Sequence, residues 1–101
     1  RGILSSIYLY KKENVSFSRV VNTLRKEYSK NYFIKICKPN IPIGTGNILN
    51  TNYCQISVSK LKEKNKIVIF STLDNLVKGA AGQAIQNMNL LFNFKENLGL
   101  K

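Results

Sequence analysis

The sequence predicts an α+β fold, a mixed or antiparallel sheet with helices on one face, in the order strand-helix-strand-strand-strand-helix. Three observations predict it. Short segments rich in β-branched and aromatic residues read as strands, two segments repeat apolar residues at helical spacing, and three of the strands follow one another without an intervening helix. A chain of 101 residues has the size of one small domain with a modest core.

The first two predicted elements are a strand and an amphipathic helix. Residues 2–10 read Gly-Ile-Leu-Ser-Ser-Ile-Tyr-Leu-Tyr, which predicts a strand buried on much of both faces. Ser16 or Asn14 is expected to cap the helix that follows, and Arg19 and Arg25 are expected on its exposed side. The apolar residues of this helix lie on one face: Phe17, Val20, Val21, Leu24 and Tyr28.

Three further strands are predicted in the middle of the chain. Residues 32–37 form a short strand, and residues 53–61 alternate in the manner of a half-buried strand. A hairpin turn at 62–66 is expected to lead into a strand at 66–72, antiparallel to the previous one. Residues 38–47 form a loop by their Pro and Gly content. The length of this loop points to a function, because long loops are uncommon in compact domains.

The last predicted element is a long helix over residues 76–92, capped by Asp74 or Asn75. Its apolar residues follow a helical period: Val77, Ala81, Ala84, Met88 and Leu91. The sequence contains no internal repeat.

The formal net charge of +11 has two interpretations. It is either an electrostatic surface for nucleic acid or anionic lipid, or a compositional bias towards Lys, Asn and Ile. The lysines are scattered, arginines are few, and no aromatic stacking motif lies among the charges. We therefore do not expect nucleic-acid binding, although a small basic nucleic-acid-binding module is kept as the alternative function.

Cysteine and histidine content restricts the chemistry of this segment. The chain has two cysteines, Cys37 and Cys54, and no histidine, so a Cys/His metal site is not expected. A Ser-His or Cys-His catalytic pair is not available either. Both cysteines are interpreted as structural, and without a secretory signal a disulfide is not expected.

The ends and the hydropathy of the chain suggest a segment of a longer cytoplasmic protein. No apolar run approaches the roughly 20 residues that cross a bilayer, so no membrane partner is expected. No signal peptide and no initial Met are present, and the chain opens directly on the strand at residues 2–10.

The start of the last helix is chemically unusual. Gly79 and Gly82 lie three residues apart with Ala80 and Ala81 between them, although each Gly inside a helix costs about 1 kcal/mol relative to Ala. Such a bare, positively polarised helix start suits the close approach of an anion or a carboxamide, and Gln83 adds an amide. Tight packing through small residues is the alternative explanation, and the residues themselves leave both open.

Three segments of this chain resemble one enzyme family. Residues 74–90 resemble the C-terminal signature of the N-acetyl-gamma-glutamyl-phosphate reductases: Asp-Asn-Leu-Val-Lys-Gly-Ala-Ala-Gly-Gln-Ala-Ile-Gln-Asn-Met-Asn-Leu. Residues 1–4, Arg-Gly-Ile-Leu, resemble the entry to a strand of that family. Residues 50–56, Asn-Thr-Asn-Tyr-Cys-Gln-Ile, resemble its Gly-Ser/Thr-Asn-x-Cys-x-Ile stretch. The resemblance therefore extends over essentially the whole chain.

The resemblance implies an oxidoreductase of arginine biosynthesis that reduces an acyl phosphate to a semialdehyde with NADPH. It also implies a glyceraldehyde-3-phosphate dehydrogenase-like C-terminal domain and a homo-oligomer. Residues 1–73 would belong to the catalytic and dimerisation domain, and residues 74–101 would return to the nucleotide-binding domain of the same polypeptide. A sister reductase of aminoadipyl or aspartyl phosphate is a second alternative.

Site residues are also implied by the resemblance. The nicotinamide end of NADP would lie against Gly79, Gly82, Gln83 and Ala84. Arg1 would bind the phosphate or carboxylate of the substrate, unless it is simply a solvated terminus.

The chain departs from the family pattern at several points. The family nucleophile lies in an Asn-Pro-Gly-Cys motif, which is absent here, as are the family histidine and the Gly-rich cofactor motif. No catalytic residue is therefore expected in this chain, and the chain alone should be inactive. Asn50 replaces the usual Gly, a mild change because Asn tolerates left-handed backbone. Ala81 stands where Ser is common, which removes a hydroxyl near the cofactor.

Overall fold

Four strands form one open sheet in the order β1-β4-β3-β2, in a computed structural model that describes residues 1–101. Strand β4 pairs antiparallel with β1 and β3, whereas β2 pairs parallel with β3. The predicted α+β class and the mixed sheet are confirmed. The elements are β1 (Gly2–Tyr10), α1 (Phe17–Glu27), β2 (Ile34–Ile36), β3 (Cys54–Lys60), β4 (Lys66–Asp74) and α2 (Gly82–Leu91), with a 3-10 helix at Thr45–Ile48 and a π-helical turn at Val77–Ala81.

The β3–β4 hairpin forms where it was predicted. The backbone N–H of Leu61 donates to the Lys66 carbonyl at 3.1 Å, and Asn65 takes a left-handed conformation with φ 64° to close the turn. Strands β2 and β3 run parallel, so the segment between them must cross back along the sheet. That requirement accounts for the long loop at residues 38–47.

Helix α1 packs on one face of the sheet, called here the helix face. Of the two predicted caps, Ser16 and Asn14, it is Ser16 that caps the helix, because its hydroxyl accepts the N–H of Arg19 at 3.1 Å. Val21 is buried against Val58 of β3 and Ile67 of β4, with further apolar contacts around them from Phe17, Val20, Leu24 and Ile69. The predicted exposure of Arg19 and Arg25 is confirmed.

The segment between β2 and β3 covers part of the opposite face, called here the loop face. The hydroxyl of Ser57 is buried on this face and donates to the Ile41 carbonyl at 3.0 Å. Nearer the other end of the sheet, the Thr45 side chain lies directly over Gly2, where a Cβ would overlap it. Strand β3 is therefore covered on both faces at its centre, which its alternating pattern alone did not predict.

The predicted burial of the first strand is wrong for this chain, because all nine residues of β1 are exposed. The physical reason is its position. Strand β1 lies at the edge of the sheet with one neighbour, and the apolar side of α1 rests on β3 and β4. Six large apolar side chains consequently face solvent: Ile3, Leu4, Ile7, Tyr8, Leu9 and Tyr10.

The single long helix predicted over residues 76–92 is divided in two. A π-helical turn precedes α2, and Ala80 breaks the helical geometry between them with φ −140° and ψ −108°. Asp74, one of the two predicted caps, accepts the N–H of Leu76, the residue just before the helical turn.

The apolar stripe predicted for this helix does not face the rest of the chain. The buried residues of α2 are Gly82, Gln86 and Asn89, whereas Met88 and Leu91 are 46% and 76% exposed. The helix turns its polar side inward because that side bonds to the turn before β3 and to the C-terminal residues. No helix of the protein is long and apolar enough to cross a membrane.

Candidate functional site

Asp74, the last residue of β4, lies at the junction of three segments. Its fully buried carboxylate accepts the Arg1 guanidinium through Nη2 at 2.6 Å and Nε at 3.1 Å. It also accepts the backbone N–H of Asn50 at 2.7 Å and that of Leu76 at 3.0 Å. The carboxylate therefore joins the start of β1, the turn before β3 and the segment that leads into the π-helical turn.

These donors keep Asp74 ionised. The hydrogen bonds from the Arg1 side chain are the largest cause, and those from the Asn50 and Leu76 backbone add to them. Together they lower the pKa of Asp74 to about 2, against the opposing effect of desolvation. The carboxylate is therefore ionised at neutral pH.

Arg1, the predicted substrate-binding residue, is held along one edge. Its Nε and Nη2 are engaged with Asp74, while Nη1 makes no hydrogen bond and the side chain is 39% exposed. Its carbonyl accepts the N–H of Asn75 at 2.9 Å. Arg1 is thus an ordered side chain with one free edge, and substrate binding at that edge stays a prediction.

The four predicted cofactor residues have different surroundings. Gly79 and Ala84 are exposed, and Gln83 is half-buried with its Nε2 donating to Asn87 Oδ1 at 2.9 Å. Gly82 is buried, where a Cβ would overlap Asn52 Oδ1 and lie 2.8 Å from the Val77 carbonyl oxygen. Packing therefore explains why residue 82 is Gly, and contact of these residues with a cofactor stays a prediction.

The π-helical turn carries a run of exposed residues with short side chains. Gly79, Ala80 and Ala81 are exposed in sequence, and none has a side chain longer than a methyl group. Single π-helical turns within helices often occur at functional sites. A surface with such short side chains leaves its backbone open to the close approach of a flat ligand group.

A polar network beneath α2 was missed by the sequence reasoning. Gln86 Oε1 accepts from Asn52 Nδ2 at 2.9 Å and from Lys78 Nζ at 2.7 Å, and Gln86 Nε2 donates to Glu96 at 2.7 Å. Asn89 Nδ2 donates to the carbonyls of Glu96 and Leu98. The signal that could have found it is the amide spacing of Gln86 and Asn89, which share one helical face.

The Lys78 ammonium group is partly buried within this network. Its ammonium group lies 5.5 Å from the centre of the buried Phe33 ring. Burial lowers the pKa of Lys78, whereas interactions with Cys54 and Glu96 act in the opposite direction. The network fixes α2 and the π-helical turn against the sheet end.

The two cysteines have different surroundings. Cys54 is buried with its sulfur 3.3 Å from the Ser71 hydroxyl, and Cys37 is half-buried; both are free thiols. Burial raises the pKa of Cys37, against the effect of Lys35, so its reactive thiolate form is disfavoured. No three His, Cys, Asp or Glu side chains lie close enough together to hold a metal ion.

The fold and the junction at Asp74 define an α+β domain with an exposed apolar edge strand, a class of domain that associates with other protein surfaces. A family described as "semialdehyde dehydrogenase, dimerisation domain" matches residues 1–75. The chain belongs to this family of dimerisation domains.

Relatives are similar to this chain over its whole length. N-acetyl-gamma-glutamyl-phosphate reductases are 41% identical in Thermoanaerobacter pseudethanolicus, 45% in Halothermothrix orenii and 42% in Methanococcus maripaludis strain C5. The matches cover 99 to 100% of this chain, which spans 29% of the length of these relatives. The predicted resemblance to this reductase family is confirmed.

Proposed function

We propose that this chain is the C-terminal part of an NADPH-dependent N-acetyl-gamma-glutamyl-phosphate reductase of arginine biosynthesis. The carrying observation is identity of 41 to 45% with such reductases over 99 to 100% of the chain. The chain supplies walls of the site for substrate and cofactor. The reacting thiolate and the acid-base histidine lie elsewhere in the complete protein.

The two parts of the chain are proposed to have separate partners. Residues 1–73 belong to the catalytic and dimerisation domain, and the dimerisation family supports assembly with a second copy. Residues 74–101 return to the nucleotide-binding domain. The outward apolar side of α2 supports this proposal, because Leu91 and Phe92 are 76% and 61% exposed here.

The proposed reaction replaces the acyl–oxygen bond to phosphate by a carbon–hydrogen bond. Bound NADPH supplies the hydride, and the products are the semialdehyde, inorganic phosphate and NADP. Within this chain, the free edge of Arg1 binds an anionic oxygen of the substrate. The exposed backbone at Gly79, Ala80 and Ala81 lets the cofactor lie close to the protein once the exposed Asn75 side chain, which lies beside Gly79, turns aside.

Turnover by the complete protein tests the function. The protein is assayed with N-acetyl-gamma-glutamyl phosphate, aminoadipyl phosphate and aspartyl phosphate, each with NADPH or NADH, by the loss of reduced-nicotinamide absorbance. The largest kcat/KM is expected for N-acetyl-gamma-glutamyl phosphate with NADPH. A larger value for another acyl phosphate would identify a sister reductase, and no turnover with any of them would refute the proposal.

A second assay tests the cofactor wall. Gly79→Ala places a methyl group on the exposed turn, and only the exposed, movable Asn75 side chain lies in its way. We expect the KM for NADPH to rise by about fivefold or more, the effect of overpacking a contact. Gly44→Ala is the matched control, because nothing lies within 4 Å of a Cβ there. Equal KM values for both variants would place the cofactor elsewhere.

No observation favours the alternative of a nucleic-acid-binding module. The densest group of lysines, Lys60, Lys62, Lys64 and Lys66, lies at the β3–β4 hairpin, at the opposite end of β4 from Asp74. Lys66 there is paired with Glu63 at 2.9 Å. The proposed location of the complete enzyme is the cytoplasm.

A further inference from the structure

Asp74 connects Arg1, the turn before β3 and the segment before the π-helical turn. Its carboxylate is fully buried, and its hydrogen-bond donors come from three segments of the candidate site. Arg1 carries the proposed substrate contact, and Leu76 precedes the proposed cofactor turn. The charged, two-point hydrogen bond to Arg1 fixes the plane of the guanidinium as well as its position.

We propose that Asp74 is a positioning residue that aims the free edge of Arg1 at the substrate oxyanion and holds it at a fixed distance from the cofactor turn. The inference rests on the proposed function. Asp74 itself touches neither substrate nor cofactor, and it acts through Arg1 on one side and through the N–H of Leu76 on the other.

Geometry supports positioning over simple charge neutralisation. The Arg1 edge that faces Asp74 uses Nε and Nη2, so Nη1 remains for another acceptor. The Arg1 carbonyl is also fixed by the N–H of Asn75, so the backbone of residue 1 and its side chain are both held by consecutive residues 74 and 75. A long Arg side chain otherwise loses rotamer freedom when it binds a ligand, and holding it beforehand removes that cost from substrate binding.

Asp74→Asn in the complete protein is the main test, because it keeps the shape of the side chain and removes its charge. We expect the KM for the acyl phosphate to rise by about ten- to a hundredfold, the range for a lost charge-assisted hydrogen bond. The value of kcat should change by much less. Glu63→Gln is the control, since it removes a carboxylate charge that accepts hydrogen bonds from Tyr10 and Lys66 at the far, exposed end of the sheet.

A double variant separates positioning from a purely structural effect. If Asp74 acts through Arg1, Asp74→Asn should add little to the KM of Arg1→Gln. Additive effects of the two substitutions, or an unchanged KM in Asp74→Asn, would overturn the inference while leaving the proposed function intact.

Binding of inorganic phosphate, measured by calorimetry, tests the inference independently of turnover. Phosphate affinity should fall severalfold in Asp74→Asn and remain unchanged in Glu63→Gln, even if none of the acyl phosphates is reduced. Equal affinity in all three proteins, or no binding by the unaltered protein, would overturn it. If Asp74→Asn does not fold, Asp74→Ser replaces it in each measurement, and failure of both to fold would show that Asp74 serves folding alone.

Discussion

Asparagine supplies most of the left-handed backbone positions of this chain. Asn40, Asn50, Asn65 and Asn93 all have positive φ, and Gly99 is the one glycine that does. Asn50, with φ 60°, confirms the prediction that Asn tolerates the conformation for which the reductase family usually has Gly. This left-handed turn also directs the Asn50 N–H to Asp74, so a local backbone choice helps to build the site.

Gly82→Ala should destabilise the protein at the residue scale. The added Cβ would overlap Asn52 Oδ1 and lie 2.8 Å from both Val77 Cγ1 and the Val77 carbonyl oxygen. Both neighbours are held in place, so we expect the free energy of unfolding to fall by about 1–3 kcal/mol in chemical denaturation. Gly44→Ala serves as the control, and a Gly82→Ala protein as stable as that control would contradict the packing described here.

The ion pair of Asp74 predicts a specific dependence of stability on pH. The pKa is about 2 when folded and 3.8 ordinarily, so the folded state binds the proton more weakly than the unfolded chain. The stabilisation is therefore present above the ordinary pKa and is lost as the pH falls through the folded value. The difference in Tm between the unaltered protein and Asp74→Asn should be constant from about pH 5 to 7 and shrink between about pH 4 and 2. A difference independent of pH would exclude the ionised carboxylate as its cause.

Both helices have an apolar stripe in the sequence, but they bury different sides. Helix α1 buries its apolar stripe against Val58 and Ile67, as its period predicts. Helix α2 has an apolar stripe too, but buries Gln86 and Asn89. Periodicity locates a helix and its apolar face, whereas the neighbouring elements decide which face turns towards the chain.

Ser16→Ala tests the start of α1 at the element scale. The Ser16 hydroxyl accepts the N–H of Arg19, one of the helix-start donors that lack an intrahelical partner. Its removal should lower the free energy of unfolding by about 1 kcal/mol. The exposed helical Ser18 offers the comparison Ser18→Ala, which should be neutral or slightly stabilising; equal losses in both variants would argue against capping.

The whole molecule has two exposed apolar surfaces, one from the start of the chain and one from its end. One is β1, exposed along its full length, and the other is the outer side of α2 with the residues that follow it. Single soluble domains rarely expose contiguous apolar patches of this kind unless a partner covers them. The match of residues 1–75 to a dimerisation family supports assembly with a second protein surface.

Leu91→Asp in the complete protein tests the second surface. Leu91 is 76% exposed in this chain, so its substitution would be nearly neutral if it remained exposed. If the nucleotide-binding domain covers it, an unpaired charge is buried, and the free energy of unfolding should fall by about 2 kcal/mol or more. Asn22→Asp, at an exposed position of α1, is the control. An unchanged stability for Leu91→Asp would mean that α2 remains uncovered.

The candidate site shows where prediction from sequence ended. The sequence pointed to the segment 74–90 and to Arg1 separately. Arg1 and Asp74 are 73 positions apart in the chain. Their junction could not be predicted, because it depends on β1 pairing with β4 so that Gly2 stands opposite Asp74. The polar network under α2 was missed for the same reason, since Asn52 and Glu96 reach Gln86 only in the folded chain.

The sequence by itself determined the order of strands and helices, the hairpin and the family, because each depends on local period, turn chemistry or a continuous motif. Only the tertiary structure decided that β1 lies at the edge, that β2 runs parallel to β3 and that α2 turns its polar side inward. Those outcomes depend on long-range pairing and on the competition between elements for the same surface. Local patterns do not record that competition, and Asp74 gains its three partners, Arg1, Asn50 and Leu76, only in the folded chain.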